Sequence, residues 1–220
     1  MITSQQQALL KKYAEAVLAA PQHYHLTSDR DFQTFWNRHV EDALKLHDFI
    51  PPQKDRQTRV LDVGSGNGIP GIPISIIEPS WTVDLLDSDS KKCLFLDTFI
   101  NNNAINNVHV HAARAELFAK GSNRSAYQIV FARALSKIRV ALELTAAQVS
   151  LGGVLIVPHG TSWRSELSDL SILEQLGLSK PEIHTYKLGN NEYFALIFRK
   201  ESETNDRFPR ANGIPSKRPL

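Results

Sequence analysis

Leu10, Tyr13, Ala14, Val17 and Leu18 recur at the i, i+3, i+4, i+7 and i+8 positions of one helical face, so the chain opens on an amphipathic helix. Ser4 and Gln7 have the spacing of a capping box at its start, and Pro21 stops it. After the polar turn from His25 to Asp29, a second stripe runs through Phe32, Phe35, Trp36, His39, Val40, Ala43, Leu44 and His47 and closes at Pro51–Pro52. The pattern then changes to short apolar runs, Arg59–Val63, Trp81–Leu86, Val108–His111, Tyr127–Ala132 and Gly153–Pro158, separated by helix-patterned stretches such as Lys91–Asn102 and Ile138–Ser150. Such alternation predicts an α/β fold with a mostly parallel sheet and right-handed crossovers. Glu182–Leu188 and Tyr193–Lys200 are joined by Gly189-Asn190-Asn191 with no helix between them, so the sheet is expected to finish in an antiparallel hairpin. Three segments follow: a helical extension over residues 1–52 packed on the core, an α/β domain over 53–200, and a basic, proline-containing tail over 201–220.

The first strand-like run leads into R-V-L-D-V-G-S-G-N-G-I-P-G, Arg59 to Gly71. Gly64, Gly66 and Gly68 let the backbone turn sharply and bring its amides close to a ligand. Pro70 and Pro73 fall where the next helix begins, and the unfilled N–H groups of its first turn are expected to face the loop's occupant. A dinucleotide fingerprint needs its third glycine where Ile69 stands, so the pattern is G-x-G-x-G and favours an adenosine ligand without a pyrophosphate. S-adenosylmethionine has the right chemistry: its carboxylate sits over amides, and Asp62 is placed to neutralise its ammonium. A tight strand-to-helix turn with no ligand is the competing reading. Trp81–Asp87 is a second strand ending in an acid, 23 residues beyond Gly64, near the ~20-residue spacing at which a carboxylate reaches ribose hydroxyls. Asp87 is the candidate for that bond; capping the following helix is the alternative, open also to Asp89 and Ser90. A mostly parallel sheet that carries this loop and ends in a hairpin is the layout of class I S-adenosylmethionine-dependent methyltransferases, not of a plain dinucleotide domain.

Composition narrows the setting. A chain of 220 residues with 42% hydrophobic content buries one good-sized core, a monomer-sized unit. Its single cysteine, Cys93, leaves no internal disulfide and no multi-cysteine zinc site, and no metal is expected. There is no apolar run of ~18 residues and no signal-peptide layout at the N-terminus, so no membrane association and a cytoplasmic location are expected. The net charge of +2 is mild, but Arg207, Arg210, Lys217 and Arg218 put four cations and no acid into the last fourteen residues. Three prolines and a glycine there argue against regular structure, leaving an extended arm that follows an RNA backbone or a solvated disordered tail.

Six stretches in order carry a resemblance to a known family: H-L-T-S at His25–Ser28, R-H-x-x-D at Arg38–Asp42, D-V-G-S-G-x-G-x-P-G-I-P at Asp62–Pro73, L-L-D-S at Leu85–Ser88, A-R-A at Ala132–Ala134, and the terminal F-P-R-x-x-G-I-P-x-K-R-P-L. The chain resembles the bacterial 16S ribosomal RNA guanine-N7 methyltransferases, also called glucose-inhibited division protein B. The resemblance implies S-adenosyl-L-methionine as cofactor, the 16S rRNA of the small ribosomal subunit as partner, and N7 of guanine 527 in the decoding region as acceptor. It implies cofactor contacts at Gly64, Ile69, Ala115, Glu116 and Arg133. A loop at Ala115 and Glu116 offers an amide to an adenine ring and an acceptor to its amino group, although Glu116 also reads as a solvated acid at a helix start.

Guanine N7 is an sp2 nitrogen with a free lone pair, so no proton has to be removed and no general base is required. Alignment and desolvation remain the protein's tasks. Arg133, at the carboxyl edge after the fourth strand, is the candidate for positioning substrate or cofactor, since a guanidinium bonds guanine O6, phosphate or carboxylate. Candidate RNA contacts are Arg38, His39, His159 and the tail cations Arg207, Arg210, Lys217 and Arg218; for His39 a buried core histidine is the alternative. One departure is visible: Pro158-His159-Gly160 stands where the family has Leu-Lys-Gly, replacing a permanent cation by a group mostly neutral at pH 7. Phe131-Ala132-Arg133-Ala134 lacks the acid or Asn before Pro-Pro and an aromatic that accompanies methylation of exocyclic amines, and Cys93 is on the wrong helix for cytosine C5 chemistry. A methyltransferase with another RNA, protein or small-molecule acceptor, a non-enzymatic RNA or membrane-associated factor, and an oxidoreductase are the other classes considered.

Overall fold

Seven strands, β1 (Arg59–Val63), β2 (Thr82–Asp87), β3 (Val108–Ala112), β4 (Tyr127–Phe131), β5 (Val149–His159), β6 (Glu182–Leu188) and β7 (Asn191–Arg199), make one sheet. The computed structural model describes residues 2–53, 57–167 and 170–220. The strand order is β3-β2-β1-β4-β5-β7-β6, with β1 to β5 parallel and β7 antiparallel to both β5 and β6. β1 lies at the point where the order reverses, pairing with β2 on one side and β4 on the other, so the loops after it diverge and leave a crevice at the carboxyl edge.

Helices cover both faces: α1 (Ser4–Ala19), α2 (Phe32–Phe35), α3 (Glu41–Asp48), α4 (Gly71–Ile77), α5 (Ser90–Asn102), α6 (Ala115–Phe118), α7 (Ile138–Thr145), α8 (Trp163–Glu166), α9 (Ser171–Leu176) and α10 (Ile214–Lys217). The period of two along β1 divides the core, as Val60 packs with Tyr13, Phe35, Leu46, Ile72 and Leu96 on one face, and Leu61 with Phe118, Leu142, Ile172 and Phe208 on the other. Buried apolar side chains thus cover both faces of the sheet, as the parallel part of it requires. None of the described helices is long and apolar enough to cross a membrane.

Four expectations shift. The box that starts α1 uses Thr3 and Gln6, one residue earlier than Ser4 and Gln7: Gln6 N donates to Thr3 Oγ1 at 3.2 Å and Thr3 N to Gln6 Oε1 at 2.9 Å. The second stripe is not one regular helix, because a wide π turn over Trp36–Val40 separates α2 from α3. The stretch from Ile138 leaves the α conformation at Thr145, passes a 3-10 turn and enters β5 at Val149, so Ser150 is in the strand. The tail is not an extended arm: Phe208 is buried, and Ile214–Lys217 form a helical turn whose Pro215 sits in the first turn, where a missing N–H leaves no bond unmade.

Candidate functional site

A cavity of about 470 Å³ opens at the carboxyl edge of β1, β2, β3 and β4. Gly64, Gly66 and Ile69 line it from the first loop, Asp87 from the second, Ala115 and Glu116 from the third, and Arg133 from the fourth. The first loop is held from three directions. Gly64 N and Ser65 N donate to the Leu86 carbonyl at 2.8 and 3.1 Å, Tyr13 Oη on α1 donates to the Asn67 carbonyl at 2.7 Å, and Asn67 Nδ2 donates to the Leu26 carbonyl at 3.1 Å. The N-terminal extension therefore sets the shape of the glycine loop. Gly68 is not at the cavity: with φ at +101°, a Cβ there would stand 2.7 Å from Leu96 and 2.8 Å from Ile72, so this glycine serves the turn and the core behind it.

Asp62 also departs from expectation. Its side chain is fully buried beneath the loop, Oδ2 accepts the Gly71 N–H at 3.0 Å, and it does not line the cavity, so it is not placed against a ligand's ammonium. Burial pushes its carboxyl up to about 7, against the opposing pull of the Gly71 amide and Arg133. The α4 amides are likewise taken, since Gly71 N goes to Asp62, Ile72 N to the Gly68 carbonyl and Ile74 N to the Pro70 carbonyl. Among the described residues, Asn67 and Ile69 are the loop positions whose N–H keeps no protein acceptor. Asp87 joins two loops, accepting Gly66 N through Oδ2 and Asp89 N through Oδ1, both at 2.8 Å. The capping of α5 falls to Asp89, which accepts Lys91 N at 2.9 Å. Asp87 is thus a bridging carboxylate with its remaining lone pairs at the cavity.

Arg133 is the most firmly held side chain of the site. Nε donates to Asp42 Oδ2 at 2.8 Å, and Nη2 to His39 Nδ1 at 2.9 Å and the Arg38 carbonyl at 3.3 Å, which leaves Nη1 without a bond among the described residues. Asp42 accepts in addition from Tyr186 Oη at 2.6 Å, and His39 Nε2 meets Asp29 Oδ2 at 2.9 Å. Because Arg133 donates to Nδ1, that nitrogen holds a lone pair and the proton is on Nε2, donated to Asp29; the imidazole is neutral. Burial first, and the Arg133 charge second, hold His39 below its ordinary 6.5. The i, i+3 pairing of His39 and Asp42 thus reappears as two jaws on one guanidinium.

A second cleft, about 420 Å³, adjoins the first and shares His39, Arg133 and Ala134 with it. Its other walls include Pro158, His159, Tyr186 and Tyr193, the two tyrosine rings stacked at 5.8 Å. His159 is in this cleft with Nε2 at 3.5 Å from Glu166 Oε1. The remaining RNA candidates scatter. Arg38 is exposed and paired with Asp29, Arg207 lies over the Phe208 ring and bonds Gln175, and Lys217 and Arg218 are exposed. Arg210 is not available for phosphate: its guanidinium binds Glu143, a carboxylate with no exposure, through Nε at 2.8 Å and Nη2 at 2.6 Å. Cys93 is buried, its thiol pushed up to about 11 by burial, as suits a packing residue. Lys92, Arg114 and Ser216 also line the first cavity, and nothing in their local sequence pattern marks them.

Comparison with known proteins decides the family. Residues 6–191 match the family model described as GidB, rRNA small subunit methyltransferase G. The chain belongs to this family. Curated relatives carrying the name ribosomal RNA small subunit methyltransferase G include one from Oenococcus oeni, 32% identical over all of this chain and 91% of its own length, and one from a Thermotoga species, 34% identical over 95% and 89%. Solved structures share the fold at low identity. TYW2 of M. jannaschii in complex with AdoMet aligns at a TM-score of 0.56 with 16% identity, covering 74% of this chain and 76% of that one. A precorrin-6y C5,15-methyltransferase of Geobacter metallireducens aligns at 0.54 with 14% identity, covering 80% and 92%. The fold is that of the class I S-adenosylmethionine-dependent methyltransferases.

Proposed function

We propose that the chain transfers the methyl group of S-adenosyl-L-methionine to N7 of a guanine in 16S rRNA, with the small ribosomal subunit in the cytoplasm as its partner. The observation that carries this reading is the pair of adjoining cavities with Arg133 in their shared wall. The first cavity suits the donor: two acceptor-free amides at Asn67 and Ile69 fit its carboxylate, Asp87 a ribose, and Ala115 with Glu116 an adenine. When bound, this cofactor supplies an electrophilic methyl carbon on a sulfonium. The second cleft supplies a flat aromatic wall for a base, in Tyr186 and Tyr193.

The residues at the junction orient and desolvate. Arg133 keeps one nitrogen, Nη1, free to donate to an acceptor such as guanine O6 or a phosphate, while Asp42 and His39 fix the plane of its guanidinium. Both nitrogens of His39 are committed, to Arg133 and to Asp29, so this imidazole is not set up as a base, in keeping with an acceptor that has no proton to lose. Positioning of this type is worth up to about 7–11 kcal/mol of barrier. Radiolabelled methyl transfer to small subunits from a strain lacking the modification tests the acceptor class. Label in 16S rRNA is expected; label confined to protein or small molecules would replace RNA by another acceptor.

A further inference from the structure

We infer that the C-terminal turn, Gly213 to Lys217, is a wall of the donor cavity, with Ser216 beside the adenosyl ligand, and that its bond to Glu116 couples tail order to cavity occupancy; this rests on the donor assignment above.

Ser216, near the end of the chain, lines the same cavity as Gly64 and Asp87. The tail is anchored below it by Phe208, which is 2% exposed, and by Arg210, whose backbone N donates to Glu143 at 3.0 Å in addition to the two guanidinium bonds. Arg210 Nη2 also donates to the Arg218 carbonyl at 2.7 Å, closing the turn from its far end. Above the anchor the tail grips the cavity wall itself. Gly213 N donates to Glu116 Oε1 at 2.8 Å, and Arg114 bridges outward, Nε to Asn212 Oδ1 at 3.2 Å and Nη1 to Ser88 Oγ at 3.4 Å.

Glu116 is the hinge of the inference. Glu116 is 4% exposed and lines the cavity, yet one carboxylate oxygen is spent on the tail and Oε2 takes no bond among the described residues. A buried carboxylate with one free oxygen facing a cavity is expected to find a donor there, and the exocyclic amino group of an adenine is a donor of the right kind. Gly213 holds the carboxylate in the rotamer that offers Oε2. A ligand amino group on Oε2 in turn makes that rotamer, and the tail bond with it, harder to lose. Linkage requires the effect to be equal in both directions.

Two measurements on the full chain test this, with S-adenosylhomocysteine as the ligand. The first is calorimetric titration of Ser216→Trp, a change at an exposed residue that leaves the core untouched. The expected result is a dissociation constant raised about tenfold or more with an unchanged melting temperature in the absence of ligand. The second is limited trypsin cleavage after Arg210 and Lys217, expected to slow about fivefold or more at saturating ligand, because a ligand that favours the closed tail lowers the population that is cut. Unchanged affinity in Ser216→Trp together with unchanged cleavage, in a chain that binds the ligand, would overturn the tail's role and leave the donor assignment standing. No binding to the unmodified chain would overturn both.

Discussion

At the scale of single residues the site is governed by charges whose partners are buried. Arg133→Ala removes a guanidinium held by Asp42 and His39 between two cavities, and methyl transfer is expected to fall about 100-fold or more, measured as single-turnover rate well below the melting transition; because Asp42 is left buried without its cation, the melting temperature is expected to fall as well. His39 and Asp62 give opposite pH slopes. His39 sits below 6.5 in the fold, so the unfolded chain takes up its proton first, and the stability it contributes is complete above about pH 6.5 and lost as pH falls below that value. Asp62, raised to about 7 from 3.8, keeps its proton in the folded chain after the unfolded chain has released it. Its contribution is complete below pH 3.8 and lost as pH rises through 7. Urea unfolding across this range is expected to show a shallower acid slope for His39→Gln and a shallower slope between pH 4 and 7 for Asp62→Asn; identical slopes to the parent would remove both assignments. At the second cleft, His159→Lys restores the cation typical of the family beside Glu166 and is expected to preserve or raise activity at pH 8, whereas a large loss would show that the imidazole has its own task.

Elements outside the α/β core are what hold these residues in place. α1 reaches the glycine loop through one bond, Tyr13 Oη to the Asn67 carbonyl, so Tyr13→Phe is expected to cost about 1 kcal/mol of stability and to weaken donor binding. The tail's most deeply buried anchor is the ion pair of Arg210 with Glu143, whose side chain has no exposure. Arg210→Ala leaves Glu143 buried and unpaired, at a cost of about 3–5 kcal/mol in denaturant unfolding, and adding Glu143→Leu is expected to recover most of it; a small loss in the single variant would mean the tail is not docked in solution. These elements also mark where the sequence stopped being readable. Strand periods, the G-x-G-x-G loop and the closing hairpin each follow from local spacing, and all seven strands stand within a few residues of their predicted places. The π turn at Trp36–Val40 does not, because a wide turn adds a residue to a helix without altering the apolar stripe on either side. The order of the tail is not legible in its sequence because prolines and cations dominate its composition, while a partner that orders it, Glu143, lies in α7 and looks like any acid on a helix.

On the scale of the whole molecule, the reversal of strand order beside β1 gathers loops from four strands around one cavity, and the two terminal segments close it from outside: α1 to α3 by way of Tyr13, His39 and Asp42, and the tail by way of Gly213. Seven of the nine cofactor candidates read from sequence line that cavity, and the two that do not, Asp62 and Gly68, face inward because the loop needs a floor as well as a surface. Residues such as Ser216 and Arg114 arrive only through tertiary packing, and no short-range pattern announces them. The most direct test is mass-spectrometric mapping of 16S rRNA from cells with and without this gene, repeated with the Arg133→Ala chain as the only copy. One guanine carrying an N7 methyl group in the first strain, and unmodified or nearly so in the other two, is the predicted result; identical modification in all three would contradict it.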